Sequence, residues 1–263
     1  MTNYSDLLPI ATTAVDLASK TMRTMQPGVL TAKGDRDMAS EVDYAIEREV
    51  RAFLADATPD IHFLGEEEGF SGQQSELMWA LDPVDGTVNF VHGSPLCGVS
   101  LGLITGDRSV LGVVDLPFLG SRYTAVEHHG AYANGHRIQT STTRQLHDAV
   151  VAIGDYSVGA DAGPKNQLRL AITTRLAAHA QRIRMHGSAA IDLVWLAEGK
   201  IDAMVMLSNK PWDTAAGIVI AREAGAHLMD RDGSDHTSSS NATIGASPHL
   251  ARQLLNIVGP AVG

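Results

Sequence analysis

Leu81-Asp82-Pro83-Val84-Asp85-Gly86-Thr87-Val88-Asn89-Phe90 continues the apolar run Met78 to Leu81, which reads as a β-strand. The segment sets two carboxylates three residues apart at a strand end, with a Gly-Thr turn just beyond them. Carboxylates at a strand end suit a hard cation such as Mg²⁺, which takes oxygen ligands. A turn with free backbone N–H groups suits a phosphate. Metal and phosphate together point to phosphoryl transfer to water.

The chain has 263 residues, 44% of them hydrophobic, with 25 Gly and 10 Pro, enough for one large domain or two closely packed halves. Its net charge of −10 lacks the basic excess that sequence-independent nucleic-acid binding needs, so no nucleic-acid partner is expected. A phosphate substrate is still compatible, because bound cations reverse the local field. Cys97 is the only cysteine, which excludes an intramolecular disulfide and a cysteine-based zinc site. Among Leu96, Val99 and Leu101 it reads as a small buried hydrophobe. Met1 to Ile10 lacks the basic-then-apolar order of a signal peptide, and no apolar run is long enough to span a bilayer. The expectation is a cytoplasmic protein with no membrane partner.

Leu7 to Met25 has helical periodicity, with Ser5 as its expected N-cap and Pro9 in its first turn. Thr31 to Met38 reads as a polar loop. Ser40 opens a second helix with Val42, Ile46, Val50 and Leu54 inward and Glu41, Glu47, Arg48 and Arg51 outward. Strands are expected at Ile61 to Leu64, Met78 to Leu81, Cys97 to Thr105, Val110 to Val114 and Tyr123 to Val126. Asn134-Gly135 marks a hairpin turn. Further on, strands at Ala149 to Ile153, Ile201 to Leu207 and Ala242 to Gly245 alternate with helices. Those helices are expected at Asn166 to Ala178, Ser188 to Ala197, Asp213 to Ala224 and from Pro248 onward. The pattern is layered α+β or α/β. The crossover after residue 140 divides it into an N-terminal α+β subdomain, 1–145, and a C-terminal α/β subdomain, 146–263.

Read singly, Glu66 is a solvated loop acid, Asp82 and Asp85 are turn residues, and Asp213 is a first-turn helix acid. The set says more. Gly65-Glu66-Glu67, then Asp82 to Phe90, then Trp212-Asp213-Thr214-Ala215-Ala216-Gly217 resemble, in this order, the inositol monophosphatase family of Mg²⁺-dependent, lithium-sensitive phosphatases. Lys33 to Asp43 and Gly187-Ser188-Ala189-Ala190 support the match, which covers essentially the whole chain. The resemblance implies an αβαβα sandwich of the sugar-phosphatase type, a phosphoric monoester hydrolase, and a homodimer.

Carried over position by position, the resemblance makes Glu66, Asp82, Asp85, Asp213 and the backbone carbonyl of Val84 metal ligands. They would hold two catalytic Mg²⁺ and a third, weaker one near Glu66. Converging carboxylates repel one another, and divalent metal relieves that repulsion. Thr87 and Asp43 would activate the attacking water, with Glu66 assisting. Gly86 and Thr87 would meet the phosphate; Asp85, Ala189, Met206 and Asp213 would lie near the substrate's hydroxyls. Lys33 matches a family loop lysine placed to act on phosphate or on the third metal. His92, His128, His129 and His186 lack zinc spacing and read as surface or supporting residues.

One position departs from the pattern. Where typical members carry a glutamate seven residues before the last metal aspartate, this chain has Met206. A thioether is a far weaker acceptor for a hydroxyl than a carboxylate. Inositol 1-phosphate is the default substrate, and histidinol phosphate is the first competitor. Fructose 1,6-bisphosphate and 3′-phosphonucleotides rank lower, because no basic cluster adjoins the motifs. A metal-binding regulatory member without activity is the non-enzymatic alternative.

Overall fold

A computed structural model describes residues 3–33, 38–72 and 75–259. The chain begins with α1 (Leu8–Thr24), the paired strands β1 (Leu30–Ala32) and β2 (Met38–Ser40), and α2 (Glu41–Ala57). Next come β3 (His62–Gly65), β4 (Gly69–Ser71), β5 (Leu77–Asp85) and α3 (Thr87–Val91). β6 (Gly98–Thr105), β7 (Arg108–Leu116), β8 (Ser121–Val126), β9 (Ala131–Ala133) and β10 (His136–Arg137) follow. β11 (Val150–Ile153), α4 (Ala162–His179), β12 (Arg182–Arg184), α5 (Ala189–Ala197) and β13 (Ala203–Met206) come next. α6 (Pro211–Glu223), β14 (His227–Met229), β15 (Thr243–Ala246) and α7 (Ala251–Val258) complete the order.

The large sheet runs β10-β9-β8-β7-β6-β5-β3-β4 and is antiparallel except where β3 lies parallel to β5. The smaller sheet runs β12-β11-β13-β15-β14. α1 and α2 bury Val15, Met22, Ile46 and Val50 against one face of the large sheet. α5 and α6 fill the space between the two sheets, and α4 and α7 cover the outer face of the small one. The result is the αβαβα sandwich that the resemblance implies. Strand alternation decides which layer each side chain enters: Ala203 and Val205 of β13 face α4 and α7, while Met204 and Met206 face inward.

α6 approaches β6 and β7 closely because glycine stands where the backbones meet. A Cβ on Gly102 would collide with Ala215 and Ala216, and one on Gly112 with the backbone of Ala216. The small residues of Thr214-Ala215-Ala216-Gly217 thus seat the helix that carries Asp213.

Several expectations are corrected. Ser5 is not the cap of α1: the Asn3 side chain accepts from the Ser5 N–H and starts a short 3₁₀ turn, Tyr4–Leu7, ahead of α1. The ends of the expected loop Thr31 to Met38 pair as β1 and β2, and its residues 34–37, like that part of the Lys33 to Asp43 match, lie outside the described residues. Glu47 does not face solvent. It is fully buried and accepts from Arg51 at 2.5 Å and from the backbone N–H groups of Glu67 and Glu68 at 2.7 and 2.9 Å. A Cβ on Gly65 would strike the Glu47 carboxylate, so the glycine of the Gly65-Glu66-Glu67 motif makes room for it. Cys97 is buried as expected.

Candidate metal centre

Residues three apart point to opposite faces of a regular strand. Asp82 and Asp85 nevertheless line one cleft, because the β5–β6 register shifts between them. The Val84 N–H donates to Asp82 Oδ1 at 3.0 Å, and the Val84 carbonyl accepts from Thr87 Oγ1 at 3.0 Å, while the Val84 side chain stays in the core. Gly86 caps α3 with φ +86°, and a Cβ there would press on the carbonyls of Leu96 and Gly187.

Glu66 follows β3, and Asp213 sits in the first turn of α6. Oxygens of Glu66, Asp82 and Asp213 lie within 4.8 Å of one another. The cleft has a volume of about 770 Å³, and Glu66, Asp82, Val84, Asp85, Gly86, Thr87, Ala189, Met206 and Asp213 all line it. An all-oxygen donor set of this kind fits a hard divalent cation.

Asp43 and Lys33 stand behind that wall. Asp43 is fully buried at the third position of α2, where it completes a capping box with Ser40. Its Oδ2 accepts from the Ser40 N–H at 2.9 Å and hydroxyl at 2.5 Å; its Oδ1 lies 3.1 Å from Thr87 Oγ1. Both neighbours of the Thr87 hydroxyl, Asp43 and the Val84 carbonyl, are acceptors, so its single hydrogen serves one at a time. Lys33 Nζ lies 2.7 Å from Glu66 and 2.8 Å from Glu67.

Asp85 is held from the opposite side of the cleft. Its carboxylate accepts from the Ala189 and Ala190 N–H groups at 3.1 and 2.9 Å and from the Ser188 hydroxyl. The start of α5 therefore grips a residue of β5.

Burial dominates the electrostatics. It pushes Asp85 up to about 7, against the bonds from Ser188, Ala190 and Ala189 that pull it back. Asp213 rises to about 8 through burial and then the charges of Glu66 and Asp85. Asp82 is held well above the usual carboxylate range by burial, then by Glu66, Asp85 and Asp213. Asp43 is raised by burial despite its bonds to Ser40 and Thr87. Burial would lower Lys33, but the carboxylates of Glu66 and Glu67 outweigh it and hold the ammonium above the ordinary lysine value. A carboxylate cluster so reluctant to ionise is one that a cation would relieve.

Other residues at this site escaped the sequence reading. Lys165, Arg169 and Lys210 line the cleft, so basic groups do adjoin the motifs. Arg169 Nη2 reaches the Leu207 carbonyl at 3.5 Å, close to Lys210 in the chain. Spacing within α4 exposes the Lys165–Arg169 pair, but nothing local says that it faces the end of β13. Ser188 was legible as the start of the helix expected at Ser188 to Ala197; its hold on Asp85 was not, because the two lie far apart in sequence. His186 and Asp192 form a buried pair on the same wall.

The sequence model of the inositol monophosphatase family matches residues 5–260. The chain is 37% identical over 227 residues to a probable inositol 1-monophosphatase, ImpA, of Mycobacterium tuberculosis, covering 86% of this chain and 84% of that one. It is 36% identical over 193 residues to a fructose-1,6-bisphosphatase/inositol-1-monophosphatase of Aquifex aeolicus, covering 73% and 72%. Its fold matches the crystal structure of the extragenic suppressor protein suhB from Bartonella henselae with a TM-score of 0.91 at 30% identity, covering 98% and 100% of the two chains. Carboxylates gathered from β5, the turn after β3 and the start of α6 thus sit in a sandwich and a sequence of known kind, and the chain belongs to the inositol monophosphatase family, a family of phosphoric monoester hydrolases.

Proposed function

We propose that this phosphatase hydrolyses a small phosphate monoester, inositol 1-phosphate first among them, with Mg²⁺ as its cofactor. The convergence of Glu66, Asp82 and Asp213 oxygens within 4.8 Å carries the reading. Glu66, Asp82, Asp85, Asp213 and the Val84 carbonyl would hold two Mg²⁺, with a third, weaker one near Glu66. Bound Mg²⁺ supplies charge that polarises the phosphate and makes water more acidic.

The chain's own residues do the rest. Thr87 Oγ1 takes a proton from the attacking water as it gives its own hydrogen to Asp43 Oδ1, and burial makes that aspartate a stronger base than a free one. Glu66 assists from the cleft wall. The backbone N–H groups of Gly86 and Thr87 meet the phosphate. Asp85, Ala189, Met206 and Asp213 flank the leaving alcohol. Attack by water forms one P–O bond as the bond to the alcohol breaks, the departing alkoxide takes its proton from a water, and no phospho-enzyme is left. Li⁺ inhibition, a homodimer, a cytoplasmic setting and the division at 145/146 belong to the same reading; among the described residues no helix is long and apolar enough to cross a membrane.

Lys165, Arg169 and Lys210 on the cleft wall favour a second reading, a sugar bisphosphate whose remote phosphate they would meet. The double name of the Aquifex relative fits it. A panel of inositol 1-phosphate, histidinol phosphate and fructose 1,6-bisphosphate with Mg²⁺ separates the readings by kcat/KM. The first reading expects inositol 1-phosphate to lead. A lead for the bisphosphate would replace it, and no release from any phosphomonoester would leave the non-enzymatic alternative.

A further inference from the structure

His186 directly precedes the Gly187-Ser188-Ala189 segment that holds Asp85, and its ring is fixed. Nδ1 lies 2.6 Å from Asp192 Oδ1, with the two side chains 9% and 4% exposed. The ring meets Trp195 edge-on, centroids 4.8 Å apart and planes at 74°. The His186 carbonyl accepts from Asn89 Nδ2 at 2.7 Å, which ties this residue to α3 and the turn at Gly86.

In the tautomer in which Nδ1 donates to the Asp192 carboxylate, Nε2 keeps its lone pair. Among the described residues no protein group bonds Nε2, and it is not among the buried polar atoms left without a partner. Nε2 therefore keeps some exposure, and His186 lines the cleft together with Ala189 and Met206. Met206 itself offers no strong acceptor on this wall, and a ring that is already ordered loses little entropy on binding.

We propose that His186 Nε2 accepts a hydrogen bond from a hydroxyl of the leaving alcohol, so that the Asp192–His186 pair supplies the alcohol recognition that Met206 cannot. This rests on the phosphatase reading above. An alcohol without such a hydroxyl leaves Nε2 unpaired, and a site built to bond a hydroxyl discriminates in that way.

The test compares inositol 1-phosphate with phenyl phosphate, whose leaving group carries no second hydroxyl. His186→Phe keeps a ring against Trp195 and removes both nitrogens. Its kcat/KM for inositol 1-phosphate should fall about tenfold, mostly through KM, while phenyl phosphate turnover stays unchanged. His186→Gln should restore part of the loss. Asp192→Asn should show a smaller loss in the same direction, and it decides the matter if the Phe variant does not fold. An unchanged substrate ratio, or an equal fall for both substrates, would overturn the inference alone. Wild-type protein inert toward both would overturn the phosphatase reading and this inference with it.

Discussion

Met206 ends β13 on the inward side of the small sheet, on the wall of the carboxylate-lined cleft. Met206→Glu should raise kcat/KM for inositol 1-phosphate about tenfold relative to histidinol phosphate, because a carboxylate accepts a hydroxyl hydrogen bond well. An unchanged ratio would remove this position from substrate choice. Thr87→Val should lower turnover by about 10–100-fold with little change in KM, since it takes away the link to Asp43 and not a phosphate contact. The main carboxylates were legible because strand, turn and acid follow one another within a few residues of sequence. Glu47 was not, and Asp43 was legible only through the resemblance. On the helix pattern both pass for solvated acids, and their partners come from elsewhere: Thr87 for one, the turn at Glu67 and Glu68 for the other.

α2 supports the site from behind. Glu47 ties Arg51 to the two backbone N–H groups that follow Glu66, so the helix sets the turn in which that ligand sits. Glu47→Ala should cost about 3 kcal/mol in urea unfolding and also weaken the response to Mg²⁺, because it removes the buried carboxylate partner of Arg51, which keeps only the Gly69 carbonyl and the more distant Glu68, and frees the turn. Wild-type stability in that variant would mean the network is ornamental. Gly112→Ala should lower stability by about 1–3 kcal/mol through overpacking against α6, the helix that bears Asp213. The long strands and helices were readable because each carries several turns or pleats of hydrophobic period. β4, β12 and β14, three residues each, were not. All three are edge strands of their sheets, and so short a segment has no alternation to read.

The two sheets hold one site between them, with Glu66, Asp82 and Asp85 from the large-sheet side and Asp213 from the helix between the sheets. That joint burial makes stability depend on pH. Folding raises Asp85 from 3.8 to about 7 and Asp213 from 3.8 to about 8. Across that window the folded chain binds more protons than the unfolded one. The stability these groups add is therefore complete below the unfolded value and is lost as pH rises through 7 to 8. In chelator, Tm should fall between about pH 5 and pH 8, and Mg²⁺ should raise it more at the higher pH. An equal Mg²⁺ shift at both would contradict this. Phosphate release from inositol 1-phosphate, titrated with Mg²⁺ for the wild type and for Asp82→Asn, tests the central claim most directly. The account predicts no release in chelator, a saturable rise with Mg²⁺ in the wild type, and a rate at least about 100-fold lower in the variant. Release that survives chelation, or an Asp82→Asn variant as active as the wild type, would contradict it.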